Sequence, residues 1–157
     1  MFREMRLKEN NQLTHEQALE ILENGVYGVL ALDGDNGYAY ASPVNYVYND
    51  GRIYFHGATE GQKVDAIRRN KKVSFCVVEK AEIVPQAFNC LYRSAIAFGK
   101  ARIVEDKDEK QQIMEMIIDR YSKGFEKSGK KYIRESWDEV MAFVIDTEHI
   151  TGKKGTP

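Results

Sequence analysis

Ten consecutive residues, Tyr54-Phe55-His56-Gly57-Ala58-Thr59-Glu60-Gly61-Gln62-Lys63, combine the residue types best suited to chemistry in this chain. They follow an apolar strand pattern and lead into a segment of helical spacing. A polar turn with Gly and Lys at a helix N-terminus suits a phosphate. Gly61 lets backbone come close, free N–H groups point outward, and the helix dipole favours an anion. Lys63 adds a point charge. The segment matches neither G-x-x-x-x-G-K-[ST] nor G-x-G-x-x-G, so it is neither a P-loop nor a Rossmann turn. His56 lies at a strand end, either as a satisfied surface imidazole or as a hydrogen-bond partner of a ligand. Asn45 interrupts an apolar strand. Burying it unpaired is costly, which points to a ligand or a partner backbone. No nucleophile–base set, paired carboxylates or metal cluster is legible, and no catalytic residue can be assigned from the sequence.

The elements that must position these residues alternate strands and helices. Thr14-His15-Glu16-Gln17 reads as a capping box opening a helix over 14–24, stopped by Asn24-Gly25. Residues 26–32 form an apolar run that predicts a strand buried on both faces. After a turn at 33–37, one strand is expected over 38–48, with Tyr40, Val44, Tyr46 and Tyr48 on one side and Ala41, Pro43, Asn45 and Val47 on the other. Asn49-Asp50-Gly51 gives a hairpin turn, and 52–56 the returning strand. A short helix over 61–69 and a strand over 73–78 follow. Residues 79–91, with Pro85, read as irregular. The strand over 93–104 alternates small residues (Ala95, Ala97, Gly99, Ala101) with Ile96 and Phe98. Its small row permits close approach of something flat, of another chain or of a covering helix. A helix over 108–123, a charged stretch with Ile133 and Trp137 at helical spacing, a strand over 140–145 and a fraying tail over 151–157 complete the pattern.

Hairpins dominate over crossovers. The expectation is a mostly β protein in a single domain over 1–157, an antiparallel barrel flanked by helices. The 157 residues, 43% hydrophobic and 30% charged, support one core. A net charge of -1 argues against nucleic acid as a partner. Cys76 sits in an apolar run and Cys90 in a loop, with no zinc spacing. No long apolar run suggests a membrane span, and no apolar signal core is seen, so a cytoplasmic location is expected.

The order of several segments resembles the flavin-binding split-barrel proteins related to pyridoxamine 5'-phosphate oxidase, and among them the nitroimidazole-resistance (Nim-type) group. These segments are Tyr27-Gly28-Val29-Leu30, Gly37-Tyr38 with Pro43-Val44-Asn45-Tyr46, Tyr54 to Ala58 with Gly61-Gln62-Lys63, Val73-Ser74-Phe75, Ser94 to Gly99, and Ile150-Thr151-Gly152-Lys153. The resemblance implies a homodimer with two flavins, FMN or FAD, in clefts between the barrels. It implies that Ser42, Pro43, Val44, Asn45 and Tyr46 run beside the isoalloxazine ring and offer backbone hydrogen bonds. His56, Gly57, Ala58, Gly61, Gln62 and Lys63 would hold the ribityl chain and phosphate. Arg93 and Ser94 would add polar contacts from the second half of the site. The family often has a basic residue or His where this chain has Gln62, which leaves the charge to Lys63 and Arg93. The implied activity is reduction of a small organic acceptor such as a nitroaromatic. The same fold with deazaflavin or haem, or a non-catalytic flavin-binding or sensing protein, stays open as an alternative.

Overall fold

The computed structural model describes residues 1–156. Its helices are α1 (Lys8–Asn11), α2 (His15–Asn24), α3 (Gln62–Arg69), α4 (Lys107–Tyr121) and α5 (Glu126–Glu135). Its strands are β1 (Gly28–Asp33), β2 (Ala39–Val44), β3 (Val47–Asn49), β4 (Arg52–Ala58), β5 (Lys72–Val84), β6 (Asn89–Ile103) and β7 (Val140–Lys154). They form one antiparallel sheet in the order β2-β1-β5-β6-β7-β4-β3.

The two edge strands, β2 and β3, are separated in sequence only by Asn45 and Tyr46. The sheet must therefore curl until its edges meet, which makes a barrel. The curled sheet leaves an interior that side chains fill. Leu30, Ile53, Phe55, Phe75, Ala97 and Phe143 are fully buried there. From α2, Ala18, Ile21 and Leu22 join this core, as do Val64, Ala66 and Ile67 from α3. On the outer face α4 lays Ile113 and Ile117 over Ala142 and Val144.

Local signals explain most boundaries. The Thr14 hydroxyl accepts from Gln17 N–H and the Gln17 side chain accepts from Thr14 N–H, the expected reciprocal cap. Asp50 (φ 45°) and Gly51 (φ 77°) both adopt left-handed backbone, the requirement of a tight two-residue hairpin.

Four expectations are corrected. Residues 79–91 are not irregular: β5 and β6 continue as a paired arm, Lys80 opposite Arg93 and Val84 opposite Asn89, turning at Pro85–Ala87. The β5 half of this arm is mostly exposed, and its backbone pairing is supplemented by side chains such as Asn89, whose Nδ2 donates to the Thr156 carbonyl. The last strand does not stop at 145. It runs to Lys154 because β6 offers a partner along its whole length, so residues 151–154 are paired rather than frayed; Pro157 lies outside the described residues. The strand expected over 38–48 breaks at Asn45–Tyr46. Finally, the segment over 26–32 is not buried on both faces. It begins at Gly28 with alternating burial, and Val26 and Tyr27 are exposed. Of the options for the small row of β6, the covering helix is what the structure shows: Ala95 and Ala97 are buried in the core that α2 completes.

Candidate functional site

β2 and β3 form one bent path, and β4 returns beside it. Pairing is confined to the half nearest the turn, Val47–Asn49 against Arg52–Tyr54. Beyond it the two halves separate. Among the described residues, neither the outer edge of β2 nor Phe55–Ala58 on that side of β4 has a strand partner. This is the split in the barrel wall. It places Ser42, Pro43 and Val44 on one lip and His56, Gly57 and Ala58 on the other, with Asn45 and Tyr46 at the corner. Backbone groups alternate between the two sides of each strand, so Ser42 and Val44 bond to β1 while the Ala41 peptide groups and the Pro43 carbonyl face the split, and on the other lip His56 and Ala58 face it while Phe55 and Gly57 bond to β7.

The corner is held by side chains. Tyr46 is buried between α2 and the barrel, and its hydroxyl donates to the Leu22 carbonyl. Burial pushes the Tyr46 phenol pKa up, so it stays protonated. Its backbone N–H donates to the Tyr121 hydroxyl at 2.9 Å. That hydroxyl lies 2.7 Å from both the Tyr46 and Val26 carbonyls, to one of which it donates. Asn45 is exposed, not buried, and its Nδ2 donates to Val26 O at 2.9 Å.

Beyond His56 the chain turns through Gly61 into α3. Gly61 has φ 126°, a conformation strained for any residue with a β-carbon, and nothing lies within 4 Å of where that carbon would be. It caps α3 without a side-chain hydrogen bond, whereas Thr14 and Asp106 cap α2 and α4 with theirs. The first-turn N–H groups of α3 are thus left uncapped by a side chain, the condition for binding an anion. The Lys63 stem crosses back over β4. Its Nζ lies 6.0 Å from the Phe55 ring centroid and 3.6 Å from where a β-carbon on Gly57 would sit. A larger residue at 57 would crowd the ammonium. Burial lowers the Lys63 pKa, and no nearby carboxylate is among the causes.

His56 faces the other side of β4, toward α4. There a cavity of about 390 Å³ lies between β4, the Asn45 corner, the end of α4 and α5. Ile117, Ile118, Tyr121, Phe125 and Tyr132 make it mainly apolar, with His56, Asn45 and Ser122 as polar groups. His56 Nδ1 is buried and has no hydrogen-bond partner. Burial, and secondarily the Lys63 ammonium, lowers its pKa, so the imidazole is neutral near pH 7. A buried, neutral, unpartnered ring nitrogen is costly unless a ligand or a water in the cavity satisfies it.

Two predicted residues have other work. The Gln62 Oε1 accepts from Asp35 N–H at 3.2 Å, tying α3 to the β1–β2 turn. Arg93 sits between Glu79 (3.1 Å) and Glu20 (4.0 Å), so its charge is already balanced. Ser94 is buried beside it on β6, opposite Lys153. The β7 partner of Arg93 is Lys154, whereas that of His56 is Ala142, twelve residues away along the strand. Within one chain Arg93 and Ser94 therefore do not join the His56–Lys63 group. Sequence reasoning missed Tyr121, Phe125 and Tyr132. Tyr121 had one signal, as the polar-tipped member of the helical stripe Ile113, Ile117, Tyr121.

Flavin fits the residues present: an open strand edge for a flat ring, an orphaned imidazole nitrogen, and an uncapped helix turn with a cation for phosphate. No helix is long and apolar enough to cross a membrane, and no cluster of metal-ligating side chains occurs among the described residues.

Comparison with known proteins agrees with this architecture. No curated protein sequence matches the chain. Among solved structures, a candidate 5-nitroimidazole antibiotic resistance protein from Bacteroides thetaiotaomicron superposes with TM-score 0.74 at 21% identity, covering 92% of this chain and 86% of that one. A FAD-binding protein from Mesorhizobium loti gives 0.67 at 20% identity, covering 92% and 97%. A FAD and heme binding protein from Mycobacterium smegmatis gives 0.75 at 17% identity, covering 94% and 74%. At these identities the likeness establishes the split-barrel fold. The sequence pattern of pyridoxamine 5'-phosphate oxidase matches residues 14–154, and the chain belongs to that family.

Proposed function

We propose that this chain is an FMN-binding oxidoreductase that works as a homodimer and reduces a small organic acceptor such as a nitroaromatic. The observation that carries this reading is the split itself. Unpaired strand edges lead along β4 to an uncapped helix turn and to Lys63, which has no carboxylate partner among the described residues. The Gly61 turn and Lys63 would hold the phosphate, the lips at Ser42–Val44 and His56–Ala58 the ring and ribityl chain. The bound flavin would supply the electron-transfer chemistry that no side chain here can perform. Tyr121, Phe125 and Tyr132 would exclude water from the cavity beside it. A cavity of this size suits one small planar acceptor, since such sites span roughly 300–1,000 Å³. Neutral His56 would orient that acceptor through Nδ1.

The homodimer is part of this proposal: Arg93 and Ser94 lie away from the His56 group within one chain, so their role at the flavin requires that they face the site of a second copy. The solved relatives described as binding FAD, or FAD and heme, favour a second reading in which the split takes a larger flavin or a haem. One experiment separates these: absorbance of the purified protein after incubation with FMN, FAD or haemin and desalting. Retention of about one FMN per subunit, with nitroimidazole reoxidising the reduced protein in stopped flow, is the expected result. A haem Soret band, or retention of FAD alone, would favour the second reading. Retained flavin that no acceptor reoxidises would indicate a binding or sensing role.

A further inference from the structure

We propose that the cavity beside His56 takes an uncharged planar aromatic molecule and rejects anions. This names the class of acceptor and rests on the reading above. Ile117, Ile118, Tyr121, Phe125 and Tyr132 give the cavity apolar and aromatic walls, and its polar side chains are His56, Asn45, Ser122 and Ser128. Among the described residues that line it, none carries a carboxylate, an ammonium or a guanidinium. A ring buries its faces against such walls at a gain, whereas an anion loses its water there and finds no counter-charge. The polar atoms suffice to orient a neutral ring. His56 Nδ1 is buried without a hydrogen-bond partner, and Asn45 commits its Nδ2 to Val26 O at 2.9 Å, which leaves its Oδ1 to accept.

The cations nearby are directed elsewhere. Lys63 Nζ lies by the Phe55 ring and the position of a β-carbon on Gly57, and these two residues face the opposite side of β4 from His56. Arg120, in the last turn of α4, donates to Gly25 O at 3.0 Å. That last turn brings the negative end of the α4 dipole to the cavity wall through Ile118, Tyr121 and Ser122. The positive end of α5 already holds an anion of the chain itself, since Glu126 Oε1 accepts from Gly124 N–H at 2.9 Å. Pyridoxamine 5'-phosphate, which carries a phosphate and an ammonium, would find an ionised partner for neither in this cavity.

The probes are 4-nitrobenzamide and 4-nitrobenzoate, which share ring, nitro group and shape but differ in charge. Their binding to the full chain is measured by calorimetric titration near neutral pH, without flavin and again after loading with FMN. Wild type is expected to bind the amide at least about thirtyfold more tightly than the benzoate. Ser122→Lys places an ammonium on the cavity wall at a helix C-terminus, where a cation is favourable. That preference should then fall below about threefold. Ser136→Lys adds the same charge at the end of α5, outside the cavity lining, and should leave the ratio at its wild-type value. Pyridoxamine 5'-phosphate should not displace the amide. Benzoate binding as tight as the amide in wild type overturns the proposal, as does displacement by pyridoxamine 5'-phosphate, a ratio that Ser122→Lys leaves unchanged, or a wild type that binds neither probe. The wild-type ratio decides the matter by itself if Ser122→Lys does not fold. A wild type that retains no FMN ends the cofactor reading alone, and the ratio on flavin-free protein still decides the class of ligand.

Discussion

Replacing Lys63 with Met is the sharpest test of the phosphate cradle. Met keeps an unbranched stem over Phe55 and Gly57 and removes only the ammonium. A unit-charge pair near a protein surface at 4 Å interacts by about 4 kcal/mol at an effective dielectric of 20. Part of that is offset, since burial already disfavours the charged form of Lys63. A charge-assisted hydrogen bond retains about 1.5–3 kcal/mol net. A central value of about 2 kcal/mol corresponds to roughly 30-fold weaker FMN binding. Binding should not vanish, because the α3 turn still contributes roughly 0.3–1 kcal/mol. The assay is equilibrium titration by flavin fluorescence, with riboflavin alongside FMN. Riboflavin, lacking the phosphate, should bind wild type and Lys63→Met alike. Gln62→Ala should change FMN affinity less than about threefold, a deletion of a group whose Oε1 already serves Asp35 N–H. Equal FMN affinity for wild type and Lys63→Met, or equal loss of riboflavin binding, would refute the assignment of Lys63 to phosphate.

Two further outcomes follow from the structure. The folded-state pKa of His56 lies below its ordinary value of 6.5, first through burial and then through Lys63. The unfolded chain therefore takes up the proton first as pH falls, and stability from a neutral His56 is complete above about 6.5 and declines below it. Urea unfolding between pH 7.5 and 5.5 should show this decline, with a shallower slope in His56→Gln; identical slopes would remove His56 from the account. Gly28→Ala would place a β-carbon 2.1 Å from Phe75 Cε1, a ring fully buried in the barrel. Such overpacking costs about 1–3 kcal/mol, and the thermal midpoint should drop by about 3–10 °C; an unchanged midpoint would mean that the β1–β5 packing yields more than its burial suggests.

How much was legible depended on the range of the forces involved. The α2 cap at Thr14 and Gln17, the turn at Asp50–Gly51 and the break at Gly61 are local, so residue type and spacing revealed them. The arm over 79–91 was hidden because Pro85 and the polar residues around it read as a loop, whereas the pairing of β5 with β6 depends on a partner strand that sequence spacing does not show. The extension of β7 to Lys154 was hidden for a related reason: a polar strand is stabilised by the neighbour it finds, here β6, and not by its own composition.

The sequence by itself determined that apolar alternation would build one antiparallel barrel and that a glycine turn with Lys63 would offer an anion cradle. Only the tertiary structure decided which of the candidates meet. It engaged Gln62 with Asp35, balanced Arg93 with Glu79 and Glu20, and left His56 Nδ1 facing a cavity without a partner. It also brought Tyr121 from 75 residues away to the Tyr46 corner. Such pairings depend on where the curled sheet and its helices arrive in space. Spacing along the chain carries periodicity and caps, but not the long-range contacts that determine which polar groups are satisfied and which stay free for a ligand.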